Sequence, residues 1–110
     1  MDDRYGAELI TDKGKVYKFD SIECLINFAL AKNVVGDEKY TLLVTDFAKP
    51  EKLIETKTSL YIHNENFRSP MGLNVSAFGI NSDAQKFLAE NGGEEITWLY
   101  VVEMVKQHSM

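Results

Sequence analysis

A chain of 110 residues is the size of one ordinary domain, which excludes a multidomain machine. Hydrophobic residues make up 45% and charged residues 26%, with two prolines and seven glycines, the balance of a folded chain and not of a disordered one. At this length folding buries roughly 65% of the surface that the unfolded chain exposes, so neither a disulfide nor a structural metal is needed to hold the fold. Twelve basic against seventeen acidic residues leave a net charge of -5 and a pI near 5.0, a balance that repels phosphate backbones and excludes nucleic acid as a partner. Cys24 is the only cysteine, so an intrachain disulfide and a multi-cysteine zinc site are both excluded. No apolar run approaches the roughly 20 residues of a membrane helix. Met1-Asp2-Asp3-Arg4 lacks the apolar region of a signal peptide, which leaves open a targeting segment ahead of Met1.

In chain order, Ala7 to Ile10 reads as a strand, Asp12-Lys13-Gly14-Lys15 as a turn, and Val16, Tyr17 and Phe19 as the returning strand of a hairpin. Asp20-Ser21 then offers capping chemistry. Ile22, Leu25, Ile26, Ala29 and Leu30 follow at spacings of three and four, the stripe of a helix that lies on a sheet and ends near Asn33. Tyr40 to Phe47 is rich in strand formers and is closed by Lys49-Pro50. In the second half, Leu60 to His63 and Val75 to Phe78 read as strands, Ser82 to Glu90 as a helix, and Ile96 to Val102 as a closing strand. The order repeats. With no gap, Val16, Phe19 and Phe28 line up with Val75, Phe78 and Phe87, and Asn33 with Gly92. The expected fold is therefore α+β: two related ββαβ units, about 4–50 and 58–103, within a single domain over 4–110. Each unit alone leaves one face of a small sheet bare, so the two should join and bury a shared core.

Between the units runs a polar loop from His63 to Asn74 that carries Met71 between Pro70 and Gly72. A thioether on a loop can fill a gap in packing. It can also be a soft ligand, stiffened by proline on one side and approached closely past glycine on the other, suited to Cu(I) and poorly suited to hard cations.

Four blocks, Gly14 to Cys24, Val44-Thr45-Asp46-Phe47, Ser69-Pro70-Met71-Gly72 ahead of Ala77-Phe78, and Gly92 to Trp98, together resemble the NosL family of nitrous-oxide reductase accessory proteins over nearly the whole chain. The resemblance implies a compact NosL-like domain of two ββαβ units and a copper chaperone of the bacterial periplasm or cell envelope, often a lipoprotein. It implies a copper-receiving cuproprotein such as nitrous-oxide reductase as partner, membrane attachment through an N-terminal lipid anchor missing from this chain, and a monomer or weak dimer. Met71 matches the family's Pro-Met-Gly motif and is the expected metal ligand. The family's other ligand motif, Cys-x-Met, is absent, because the chain starts at Met1-Asp2-Asp3-Arg4-Tyr5, too late to contain it. Either it was cut away or this member has lost it. Cu(I) binding by this chain is accordingly expected to be weak or absent, since one thioether cannot replace a thiolate and a second soft donor.

Cys24 and His63 are the alternative ligands. Cys24 matches a cysteine that recurs in the family at the start of the first helix; it reads either as a small buried hydrophobe beside the apolar stripe or as a thiol near a helix N-terminus. Asp20 fits the family's acidic position after the strand, and also the N-cap of the helix. His63 continues the strand from Leu60 and lies ahead of Met71 in the same loop region. His108 falls in a polar, disordered tail. Met104 belongs to the apolar run Val101, Val102, Val105, while Trp98 and Tyr100 alternate with Thr97 and Leu99 as a closing strand requires. No Gly-x-Ser-x-Gly turn, phosphate loop or His-Glu-x-x-His helix occurs, so the chain reads as no enzyme. The rival to a Cu(I) chaperone is a non-catalytic interaction module of the same fold that has lost metal binding.

Overall fold

The computed structural model describes residues 5–66 and 73–108, with the side chain of His108 left aside. Strands β1 (Ala7–Ile10) and β2 (Val16–Phe19) form the first hairpin, followed by helix α1 (Ile22–Ala31) and strands β3 (Thr41–Asp46) and β4 (Lys49–Glu55). Strands β5 (Leu60–His63) and β6 (Val75–Phe78) form the second hairpin, followed by α2 (Asn81–Asn91), β7 (Glu94–Ile96) and α3 (Trp98–His108). The first sheet has the order β2-β1-β3-β4 and the second β6-β5-β7, with every pairing antiparallel. In each sheet the first strand of the unit lies between its hairpin partner and the strand that returns after the helix. The two ββαβ units expected from the sequence thus share one topology.

Helix α1 starts and stops for local reasons, and α2 stops for one. Ser21 caps α1, its hydroxyl accepting from the Cys24 N–H at 3.2 Å, an arrangement worth about 1 kcal/mol. Asp20 stands outside the helix and is exposed, so the cap belongs to Ser21 and not to Asp20. At the other end Asn33 takes a left-handed φ of 57°. There the Val34 N–H donates to the Ala29 carbonyl at 2.9 Å and the Asn33 N–H to the Leu30 carbonyl at 3.1 Å. This paired 6→1 and 5→2 closure satisfies carbonyls that the helix leaves open. Gly92 closes α2 with φ 77°, so the aligned positions Asn33 and Gly92 do stop the two helices with the same backbone sign.

Two elements differ from the sequence reading. Lys49-Pro50 does not end the sheet; it begins β4. The Asp46 carboxylate accepts from the Ala48 N–H at 3.0 Å and turns the chain through Phe47-Ala48 back against β3. Proline is tolerated because β4 is an edge strand, where a missing N–H removes no ladder bond. The segment after Ile96 is not a strand but α3. Its first turn is capped by Thr97, whose hydroxyl accepts from the Tyr100 N–H at 3.1 Å. Trp98, Val101, Val102 and Val105 then fall at i, i+3, i+4 and i+7, and the three valines are buried on the inner face. The polar tail expected to be disordered continues this helix to His108.

One buried cluster joins the two units: Leu9, Leu25, Ile26 and Val44 from the first, and Tyr61, Leu73, Val75, Val101 and Val105 from the second. Ile62, Phe78, Ala84 and Phe87 form a smaller cluster beneath α2. Phe47, in the β3–β4 turn, lies at the seam. Its N–H donates to the Ala77 carbonyl at 2.7 Å, and its ring meets those of Tyr5, Phe78 and Phe87 with centroids 5.5–5.8 Å apart. Among the described residues no helix is long and apolar enough to cross a membrane.

Candidate soft-metal site

Pro70, Met71 and Gly72 lie outside the described residues, so the expected ligand Met71 is approached through its neighbours on the chain. Leu73 follows Gly72 directly and is buried. Its N–H donates to Oε2 of Glu23 at 3.0 Å, which ties the exit of the hairpin loop to the first turn of α1. Cys24 is the next residue along that turn. The Cys24 thiol is half-buried, at the margin of the stripe formed by Ile22, Leu25, Ile26 and Ala29.

The entrance of the same loop is held by Asn64, a buried residue. Its side-chain amide donates to the carbonyls of Asn91 and Gly92 at 3.1 and 2.9 Å, at the C-terminal end of α2. Its side-chain carbonyl accepts from the Asn66 N–H at 2.8 Å, and its own N–H donates to the Asn74 carbonyl at 3.0 Å. Four hydrogen bonds from one residue fix the stem of the hairpin. A buried amide left without such partners would cost about 1–3 kcal/mol.

His63, half-buried, immediately precedes that clamp. It pairs across the sheet with Val75 on one side and Glu94 on the other. Alternation along the strands puts His63 on the same face as Tyr61, Ala77, Ile96 and Glu94. That face looks toward α3, as the tilted stacking of Tyr61 on Trp98 at 5.6 Å shows. The opposite face carries Glu95, which accepts from Gln85 of α2 at 3.1 Å. Between β5, β7 and α3 opens a cleft of about 410 Å³ lined by His63, Glu65, Glu94, Tyr100 and Met104, among others.

The floor of this cleft is tight. Gly93, at φ 119°, comes so close to the sheet that a Cβ there would sit 2.7 Å from the His63 carbonyl oxygen, 3.1 Å from Ile62 Cγ2 and 3.2 Å from Asn64 Cβ. Only glycine meets both demands, the left-handed backbone and the close approach. Beneath it Tyr61 is fully buried, its hydroxyl donating to the Thr56 carbonyl at 2.8 Å. Burial pushes the Tyr61 phenol far above its ordinary pKa, and a hydrogen bond with Ser59 opposes part of that rise.

Of the residues singled out from the sequence, His63 and the turn of Cys24 therefore flank opposite stems of the loop that carries Met71. Asp20 lies apart, in a shallow depression of the first sheet with Lys18 and Thr45. Met104 was read from the sequence only as part of the apolar run Val101, Val102, Val105, and a strand ending at Val102 gave it no relation to His63. Helical spacing from Tyr100 to Met104, one turn apart, is the signal that places both on one face. Glu23 was also missed, since its partner is a backbone N–H 50 residues away. Among the described residues no group of three or more His, Cys, Asp or Glu is placed to hold a metal ion.

The NosL family model matches residues 3–107. Among solved structures the chain is similar to the copper chaperone NosL from Shewanella denitrificans, with a TM-score of 0.65 and 22% identity, covering 84% of this chain and 74% of that one. A likeness at that identity speaks to the fold. A search of curated proteins returns no match.

Proposed function

The chain belongs to the NosL family, and on that premise we propose that it is a Cu(I)-binding chaperone, with Met71 of the Pro-Met-Gly segment as a ligand to the ion. The match over nearly the whole chain carries the reading. Donor chemistry supports it, because a thioether suits Cu(I) and not hard cations. The partner is a cuproprotein that receives the ion, nitrous-oxide reductase being the family's recipient, and the place of action is the cell envelope, with attachment through a lipid anchor. The role is binding and transfer, with no bond made or broken in a substrate.

What the described residues contribute is placement. Glu23 and Asn64 hold the two stems of the loop, one from each unit, so that its ends cannot separate. A cargo site must release as well as bind, and the described part of this arrangement is the pair of stems fixed from the two units. Cys24 and His63 are the further donors on these stems.

The test is a titration of the chain with Cu(I) against bicinchoninate, repeated with Met71→Ala and with the protein made from its whole reading frame. Binding that competes with the chelator and weakens at least about tenfold on loss of Met71, the order expected when metal-site groups are removed, supports the reading. Affinity unchanged by Met71→Ala removes Met71 from the ligand set. A chain from the whole reading frame that binds no Cu(I), yet is retained by a cuproprotein partner, would instead identify an interaction module that has lost the metal.

A further inference from the structure

We propose that the cleft between α3 and the second sheet is a soft-metal site in its own right, with the imidazole of His63 and the thioether of Met104 as its ligands. It goes beyond the loop methionine, sharing with the preceding reading the kind of ion and the residue His63, which here serves the cleft and not the loop.

Three observations carry it. First, His63 and Met104 line one cleft, although 41 positions separate them in the sequence and they reach it from a strand and a helix. Among the described residues no hydrogen bond or ion pair occupies the His63 ring or the Met104 sulfur. Second, the backbone of His63 is fixed by its surroundings: Gly93 lies against its carbonyl, the next residue, Asn64, is clamped to the end of α2, and the strand is paired on both sides. Met104 is half-buried against the shared core, which limits the reach of a flexible side chain. A metal site needs ligands held in this way before the ion arrives. Third, Glu65 and Glu94 line the same cleft and Glu94 pairs directly with His63, so a cation entering it meets a negative field. Tyr100, 56% exposed, stands at the mouth one helical turn before Met104, which leaves the cleft open to solvent.

The donor pair names the ion. Imidazole accepts copper, zinc, iron and nickel; thioether sulfur narrows the choice to a soft monovalent ion such as Cu(I). A low-coordinate ion is satisfied by two such donors, whereas zinc prefers four.

The experiment uses the whole chain labelled with 13C at the methionine methyl groups and 15N in the histidine rings. It is titrated anaerobically with Cu(I), with Ag(I) as a redox-inert substitute, and separately with Zn(II). The expected result is a shift of the Met104 methyl and of one His63 ring nitrogen on adding Cu(I) or Ag(I). Both shifts persist in Met71→Leu and vanish in His63→Gln. Met104→Leu, which conserves volume, should weaken Cu(I) binding at this site at least about tenfold. A Met104 methyl that stays still at stoichiometric Cu(I) overturns the proposal, as does Zn(II) moving the His63 ring while no soft ion moves Met104. The wild-type spectrum alone decides this if a variant fails to fold. If Met71 moves and Met104 does not, the loop reading stands and this one falls. The converse leaves this site and removes Met71, and silence at both methyls removes both.

Discussion

The carboxylate of Glu23, in the first turn of α1, accepts a hydrogen bond from the N–H of Leu73 at 3.0 Å, across 50 positions of the chain. Both residues are buried, one in each ββαβ unit. The contact therefore does two things at once: it satisfies a backbone donor that water cannot reach, and it fastens the loop exit to the helix whose next residue is Cys24. A charged acceptor makes this bond stronger than a neutral one.

Glu23→Ala leaves the Leu73 N–H buried and unsatisfied, and should destabilise the chain by about 1–3 kcal/mol. Glu23→Gln keeps an acceptor oxygen and should lose less. Urea unfolding of the three proteins measures the difference, and amide exchange at Leu73 localises it: protection of that N–H should drop in the alanine variant and be largely retained with glutamine.

Gly93→Ala is expected to be among the most harmful single-methyl additions. The new Cβ would meet the His63 carbonyl at 2.7 Å, with φ at 119°, so backbone must move in β5 or β7. A strained residue of this kind costs on the order of 1–3 kcal/mol. Gly36→Ala, where nothing lies within 4 Å and φ is not left-handed, is the control and should change stability by less than about 0.5 kcal/mol. Equal midpoints for the two variants in thermal unfolding would show that the close approach is relaxed in solution.

Stability should also fall in alkaline solution through Tyr61. Burial keeps its phenol protonated in the folded chain well above the ordinary value of 10.0, whereas the unfolded tyrosine ionises near about 10. The stabilisation is thus fully present below about pH 10 and is lost as the pH rises above it, by about 1.4 kcal/mol per pH unit from this one proton. Tyr61→Phe should remove that part of the slope. Below about pH 10 it should also lower stability by about 1 kcal/mol, because the Thr56 carbonyl loses its donor, and the gap to the parent should close as the pH rises further. Denaturant midpoints between pH 8 and 11 check both effects.

Because Leu25 and Ile26 share one cluster with Tyr61, Val101 and Val105, the two units should unfold together. Fluorescence of Trp98, the single tryptophan, reports the second unit, and far-ultraviolet circular dichroism reports both. Their transitions should coincide. Leu25→Ala should move both midpoints by the same amount, at a cost of about 2–5 kcal/mol. A fluorescence transition left in place by this variant would show two independent units.

Much of the fold was legible along the chain because its causes are local. The Ile22–Ala29 stripe, the serine before it and the asparagine after it specify α1 by spacing and capping alone. The two hairpins follow from alternation and turn residues, and the repeat follows from Val16, Phe19 and Phe28 recurring as Val75, Phe78 and Phe87. Two elements were misread where two local signals compete. Pro50 ends a central strand but is harmless on an edge, and edge or centre is a property of the assembled sheet. Trp98, Val101, Val102 and Val105 carry helical spacing in residues that favour strands, and the cap from Thr97 together with burial against the shared core settled it for the helix.

The chain by itself determined which metal-capable side chains it carries, among them one cysteine, two histidines and a methionine between proline and glycine. Only tertiary structure decided which of these donors stand near one another. Met104 lines the same cleft as His63 because α3 packs against the face of β5 that carries Tyr61. Glu23 reaches Leu73 because α1 abuts the second hairpin. Periodicity carries the shape of an element, but contacts across tens of residues depend on how elements dock, and nothing in local spacing encodes that.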